Sequence, residues 1–245
     1  MQETTASTSD SFYEYDQYTE PCDKNEVFVF STQVTTILNS LLFLLSFIGN
    51  GLVLWILLKY ENLVSLTNVF ILNLSIADLV LSSWLPLFIV YHRQGWVFGE
   101  MACKIVSALF SVGFYSGIIF LAFMTFQRYI AVVDPLSALK TRKPIFTILV
   151  SFVSWFLSIC ASVPTIIYKT QTNTGNFARC EYIQLRPILI NNYQQNITFV
   201  IAFTVITFCY FRIIKTLRRS RSQRNHKPVK LISIIVTVYF FTGPL

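Results

Sequence analysis

The run Ile105–Gln127, IVSALFSVGFYSGIIFLAFMTFQ, holds 23 residues without one Asp, Glu, Lys or Arg, and it closes on Arg128-Tyr129. A helix that crosses hydrocarbon needs about 20 mostly apolar residues at about 1.5 Å of rise each, so this run is long enough to span. Four others pass the same test: Val27–Leu58, Pro144–Tyr168 and Pro187–Phe211 carry no charge, and Asn62–His92 carries only Asp78. A sixth, Leu231–Leu245, stops at 15 residues. That is about 22 Å of helix against a hydrocarbon core of about 30 Å, so the chain is expected to end inside the bilayer or with its sixth helix unfinished.

Composition agrees with a membrane protein. Only 13% of the 245 residues are charged and 54% are hydrophobic, whereas a soluble domain carries about 25% charged residues. Twenty-three Phe and twelve Tyr against eight Gly and eight Pro exclude a collagen-like, linker-like or disordered chain. Five cysteines are too few for a disulfide scaffold.

The formal charge of +7 is a topology signal. Alternating the loops places Lys59, Arg128, Lys140, Arg142, Lys143 and the eight bases from Arg212 to Lys230 on one side, against Glu61 and Asp134. Basic residues mark the cytosolic side, so residues 1–26, with seven acids and Lys24, read as an extracellular tail. That tail has neither the basic start nor the apolar stretch of a signal peptide. No nucleic-acid partner is implied.

Asp78 is the one ionisable residue deep in a span, and a lone charge there costs about 2.5–3.5 kcal/mol on insertion scales. It is either kept protonated or hydrogen-bonded to Asn50, or it forms a cation or switching site. A proteolytic aspartate pair is excluded for want of a second intramembrane Asp. Cys103 and Cys180 both fall on the outer, oxidising side, which predicts a disulfide. Cys160 and Cys209 lie in apolar runs and read as small core residues. Gly113 and Gly117 form a small-xxx-small pair, for close packing in the bundle rather than a dimer face. The sequons at Asn73 and Asn196 fall within spans and are discounted.

Along the chain stand Gly49-Asn50 in the first span, Leu74 to Leu79 in the second, and Trp96-Val97-Phe98-Gly99 before Cys103. Gln127-Arg128-Tyr129 ends the third, followed by Asp134-Pro135-Leu136, with Trp155 in the fourth, Tyr210 in the fifth and Pro244 in the sixth. Together they resemble the motifs of rhodopsin-like G-protein-coupled receptors, from about residue 12 to the end of the chain. The acidic run Tyr13-Glu14-Tyr15-Asp16-Gln17-Tyr18 with Cys22, the Trp96 motif and Val132-Val133-Asp134-Pro135-Leu136 are similar to chemokine receptors. Val53-Leu54-Trp55 with Lys59-Tyr60-Glu61, and Arg219-Ser220-Arg221-Ser222 with Val229-Lys230-Leu231-Ile232, are similar to their XC-type (lymphotactin) branch.

The resemblance implies an all-α transmembrane helical bundle of the seven-helix receptor type, truncated in or after helix six. Spans are expected at about 27–58, 62–92, 102–133, 144–168, 187–217 and 228–245, behind a tail at 1–26. It implies a plasma-membrane receptor that binds a small basic, lymphotactin-like chemokine through Tyr13, Glu14, Tyr15, Asp16, Tyr18, Cys22 and Trp96. The tail tyrosines would be sulfated and would steer the ligand by long-range attraction. Inside, Arg128, Tyr129, Leu136, Tyr210, Asp78, Asn50 and Pro244 would form the switch that activates a heterotrimeric G protein of the inhibitory class, as in chemotaxis. Membrane lipid is the remaining partner, and no cofactor is implied.

Departures from the family pattern are specific. Gln127 stands where an acid usually precedes the arginine, which removes an ion pair from the resting state and raises basal activity. Ala202 replaces a proline, Thr242 replaces a tryptophan, and Gly117 replaces a serine, which weakens a sodium site at Asp78. A seventh helix and a partner cysteine for Cys22 are missing. The alternative reading is a truncated, non-signalling receptor-like protein, a decoy or retained form. A transporter would show inverted repeats and more midplane charge. An enzyme would need paired acids, HExxH or GxSxG, and His92 and His226 fall on opposite sides.

Overall fold

The computed structural model of the protein describes residues 25–61, 65–134, 144–174 and 177–219. In hydrocarbon no water satisfies backbone N–H and C=O groups, so an apolar run must bond within itself as a helix. The charge-free runs do so. Helices α1 (Asn25–Tyr60), α2 (Leu66–Ser82), α3 (Leu85–Gln94) and α4 (Gly99–Val133) come first. Next are α5 (Pro144–Tyr168), the hairpin β1 (Lys169–Thr174) and β2 (Phe177–Tyr182), and α6 (Leu185–Arg219). Five helical stretches among the described residues are long and apolar enough to cross a membrane, with α2 and α3 making one of them. The expected sixth span at 228–245 lies outside the described residues.

Two elements differ in form from what the apolar runs suggest. The second span is interrupted at Ser83-Trp84 because Pro86, in the first turn of α3, has no N–H to return to the preceding turn. Ser82 and Ser83 turn their hydroxyls back to the carbonyls of Leu79 and Val80 at this break. The stretch after the fourth span, read from sequence only as a loop, is an antiparallel hairpin with Lys169 opposite Tyr182 and Gln171 opposite Cys180. Between α3 and α4 the chain reverses through Gly95 (φ 75°) and Gly99 (φ 85°), left-handed positions where a side chain would be strained.

Helix α4 is the centre of the bundle and packs against α2, α5 and α6, while α1 lies outside against α2 and α3. Leu66, Phe70 and Leu74 recur every four residues on α2 and meet Phe120, Leu121 and Met124 of α4 and Ile206 of α6. Trp155 and Tyr210 close over this cluster. The face of α5 toward the interior is small and polar: Thr147, Ser154, Ser158, Ser162 and Thr165 are buried. Ser154, Ser158 and Ser162 each bond the carbonyl four residues back, so the seam is close-packed without orphaned hydroxyls. Leu45, Phe152 and Phe156 face outward with many other apolar side chains, as lipid requires. Cys160 belongs to that outer set and is not a core residue, whereas Cys209 is buried. Its position on the side of α5 opposite the serine seam is the reason.

Close approach between α2 and α4 hinges on Gly113. A Cβ there would sit 2.7 Å from Leu81 N, 2.8 Å from Leu81 Cα and 3.0 Å from the Ala77 carbonyl oxygen. Those are backbone atoms, so the helices themselves would have to part. Gly113→Ala is therefore expected to lower the thermal midpoint in detergent by an amount corresponding to about 1–3 kcal/mol. Gly49→Ala, whose Cβ meets nothing within 4 Å, should be neutral or stabilising. Equal midpoints for both variants would refute the packing account.

Candidate functional site

The described bundle has two polar ends joined by an apolar middle. At one end the hairpin is fastened over α4 by the Cys103–Cys180 disulfide, with Cα atoms 5.7 Å apart. Trp96 N–H donates to the Ala178 carbonyl at 2.7 Å and its indole N–H to the Gly99 carbonyl at 2.8 Å. Trp96 is 5% exposed and is flanked by Tyr91 and Phe98. Its backbone thus holds the loop to the hairpin, while its buried ring closes the loop on Gly99. Thr170 donates to Glu100 Oε1 at 3.0 Å, and the same carboxylate pairs with Lys104 at 2.9 Å.

Beneath the hairpin, polar groups from three elements converge on Thr165 of α5: a hydroxyl from α4, one from β2 and an amide from α6. Ser111 donates to Thr165 Oγ1 at 3.2 Å and Tyr182 at 3.3 Å, while Thr165 donates to Asn191 Oδ1 at 3.4 Å. No motif marks this cluster, because Ser111, Thr165, Tyr182 and Asn191 are far apart in the chain and ordinary in type. The four-residue spacing of Ser154, Ser158 and Ser162 ahead of Thr165 is the sequence signal that would have marked the polar face of α5.

In the middle, Asp78 is partly buried and has no hydrogen-bond or ion-pair partner among the described residues. Of the alternatives left open for Asp78, a bond with Asn50 is not seen: Asn50 donates within α1 to Ser46 Oγ at 3.2 Å. Asn73 is committed to packing, since it accepts from Trp155 Nε1 at 2.9 Å and donates to Ser151 Oγ at 3.2 Å. Neither Asn73 nor Asn196, whose amide bonds the Asn192 carbonyl within α6, is placed for glycosylation. No group of three or more His, Cys, Asp or Glu that could hold a metal occurs among the described residues.

At the opposite end Gln127 donates to Thr67 Oγ1 on α2 at 3.1 Å, a cross-helix bond that motif reading missed. Its carbonyl Oε1, the Arg128 Nε and the Tyr210 hydroxyl are buried without partners. Arg128 and Tyr210 lie close enough to act on each other electrostatically. Tyr129 packs on Phe126 and Phe208, linking α4 to α6. Structure thus brings Arg128, Tyr129 and Tyr210 together. Tyr13, Glu14, Tyr15, Asp16, Tyr18, Cys22, Leu136 and Pro244 lie outside the described residues.

The disulfide closes a separation of 77 residues, worth about 4.5 kcal/mol in chain-entropy terms. Non-reducing peptide mapping of the purified protein should recover Cys103 and Cys180 in one linked species. Free thiols at both would contradict the geometry. Trp155→Phe, which keeps the ring and removes the donor to Asn73, should cost about 1–3 kcal/mol. An unchanged thermal midpoint would show that bond to be dispensable.

Residues 49–243 match the family described as 7 transmembrane receptor (rhodopsin family). The chain is 44% identical over 245 residues to Chemokine XC receptor 1 of Homo sapiens, an alignment covering 100% of this chain and 72% of the human protein. It is 41% identical over 236 residues to Chemokine XC receptor 1 of Mus musculus, covering 96% of this chain and 71% of the mouse protein. With five apolar spans of which α4 is the central one, a disulfide from α4 to the hairpin, and Arg128 at the far end of the same helix, the chain belongs to the rhodopsin family of seven-transmembrane receptors and, within it, to the chemokine receptors.

Proposed function

We propose that the protein is a receptor for a small basic chemokine of the lymphotactin-like class, and that it activates a heterotrimeric G protein of the inhibitory class. The observation that carries this reading is the 44% identity across the whole chain to a chemokine XC receptor. The charge balance of the loops supports a plasma-membrane orientation with the N-terminus and the disulfide end outside. Outside, Tyr13, Tyr15 and Tyr18, sulfated among Glu14, Asp16 and Glu20, draw in the basic ligand, with Cys22 nearby. Trp96 contributes by fixing the hairpin that the ligand meets.

Binding then biases an equilibrium between two packings of the bundle, because only differential affinity shifts a population. Arg128 Nε, buried without a partner, supports this, because a buried polar group without a partner is costly and an arrangement that satisfied it would be favoured. In that arrangement Arg128, Tyr129 and Tyr210 admit the G protein and Leu136 meets it from the following loop. Asp78, Asn50 and Pro244 take part in the helix rearrangement, with no metal required.

The deciding experiment places the 245-residue chain in nanodiscs with a purified inhibitory G protein and measures nucleotide exchange with and without lymphotactin. Stimulated exchange is expected. Binding without exchange would favour the non-signalling, decoy reading, and no binding would overturn the proposal. Replacing Tyr13, Tyr15 and Tyr18 with Phe should slow association at low salt, with the difference fading as salt rises. Gln127→Asp, which restores an acid beside Arg128, should lower exchange in the absence of ligand.

A further inference from the structure

On α6, Ala202, Ile206, Cys209 and Ile213 are buried and recur at the four- and three-residue steps that keep one helix face. That face looks into the bundle, and Phe208, Phe211 and Ile214 lie off it and are exposed. Arg212 stands one turn beyond Phe208 and Lys215 two turns beyond, so the three share a side of the helix. Both bases are exposed. The outward side of α6 therefore passes from aromatic to basic within two turns.

A second helix widens the aromatic part. Phe126 is exposed although α4 is otherwise the most covered span of the bundle. Its ring centroid lies 6.1 Å from that of Tyr129, which in turn meets Phe208 at 6.3 Å. Three rings from two helices thus form a ladder that ends one turn from Arg212.

Among the described residues, neither Arg212 nor Lys215 has a carboxylate within ion-pair distance or a ring beneath it. The other described bases of this end are placed differently. Lys59 lies over the Trp55 and Tyr60 rings, 5.1 and 5.4 Å from their centroids, and the Arg128 Nε is buried in the bundle. Exposed cations where a helix leaves hydrocarbon attract anionic headgroups, and a guanidinium pairs strongly with phosphate oxygens. A phosphodiester alone carries one charge for two bases. A headgroup with further phosphates meets both at once, while its acyl chains complement the rings.

We propose that this corner of α4 and α6 binds a phosphoinositide of the surrounding leaflet, with headgroup phosphates on Arg212 and Lys215 and an acyl chain along Phe208 and Phe126. In the orientation that the loop charges support, the corner lies at the cytosolic leaflet, which carries the anionic lipid. The inference is independent of the chemokine reading, since it uses neither the outer end nor its ligand.

The test titrates the full 245-residue chain in detergent with phosphatidylinositol bisphosphate, phosphatidylserine or free inositol trisphosphate, and counts bound molecules by native mass spectrometry. The bisphosphate lipid is expected to bind more tightly than the other two. Arg212→Gln with Lys215→Gln should weaken it about thirtyfold, from about fivefold for each base beside an anionic headgroup, and Lys59→Gln should leave it unchanged. Phe208→Ala should weaken the lipid about fivefold and leave inositol trisphosphate as it was. Arg212→Lys with Lys215→Arg, which keeps both charges, should bind nearly as the parent does, and its failure to bind would overturn the site even if the glutamine variant proved unstable. Equal losses in Lys59→Gln, or equal binding of the two lipids, would mean a diffuse surface charge and overturn it as well. Inositol trisphosphate bound as tightly as the lipid would assign the bases to a soluble phosphate instead. A glutamine variant that kept the lipid and lost nucleotide exchange would place Arg212 and Lys215 against the G protein and refute the lipid site.

Discussion

A backbone in hydrocarbon has no solvent to bond to, and every feature of this bundle follows from how that constraint is met. The charge-free runs answer it as helices. Where the helical ladder fails, at Ser83-Trp84 ahead of Pro86, serine hydroxyls turn back on the chain. Where the chain leaves the helices, at residues 169–182, it pairs with itself as a hairpin. Side chains obey the same rule: the buried serines of α5 bond their own helix, and Asn73 and Trp155 bond each other across two helices.

Once backbones are satisfied, association in lipid depends on how closely helices approach, because lipid tails are as apolar as leucine. Gly113 against Leu81 and the serine seam of α5 let α4 take the central place. That position gives one helix contact with both polar ends. Its first turns hold the hairpin through Cys103, and its last turns carry Gln127, Arg128 and Tyr129. A change in the packing of α4 therefore reaches both, which is the physical requirement for coupling them.

The two ends resemble each other in an unexpected respect. Each is well bonded internally and each keeps a buried polar atom without a hydrogen-bond partner among the described residues: the Tyr115 hydroxyl at one, Arg128 Nε and Gln127 Oε1 at the other. They are not the whole set, since Thr36 Oγ1 and Asn39 Nδ2 on α1 are also without partners, whereas the buried serines of α5 turn back on their own helix.

Sequence by itself determined the membrane class, the five described helices and their family, because these depend on one-dimensional quantities: lengths of charge-free runs, loop charge and short motifs. It also marked Cys103, Cys180 and Gly113, whose chemistry or size restricts them to few roles. It could not determine which neighbours a polar side chain chooses. Asn50 turned to Ser46 instead of Asp78, Gln127 to Thr67, and Cys160 faced outward. Trp96 became a fastening of the loop, and Thr165 became the meeting point of three helices and a hairpin. Those outcomes depend on helix rotation and on hairpin register, which are fixed only when distant segments pack together, so only the tertiary structure decided them.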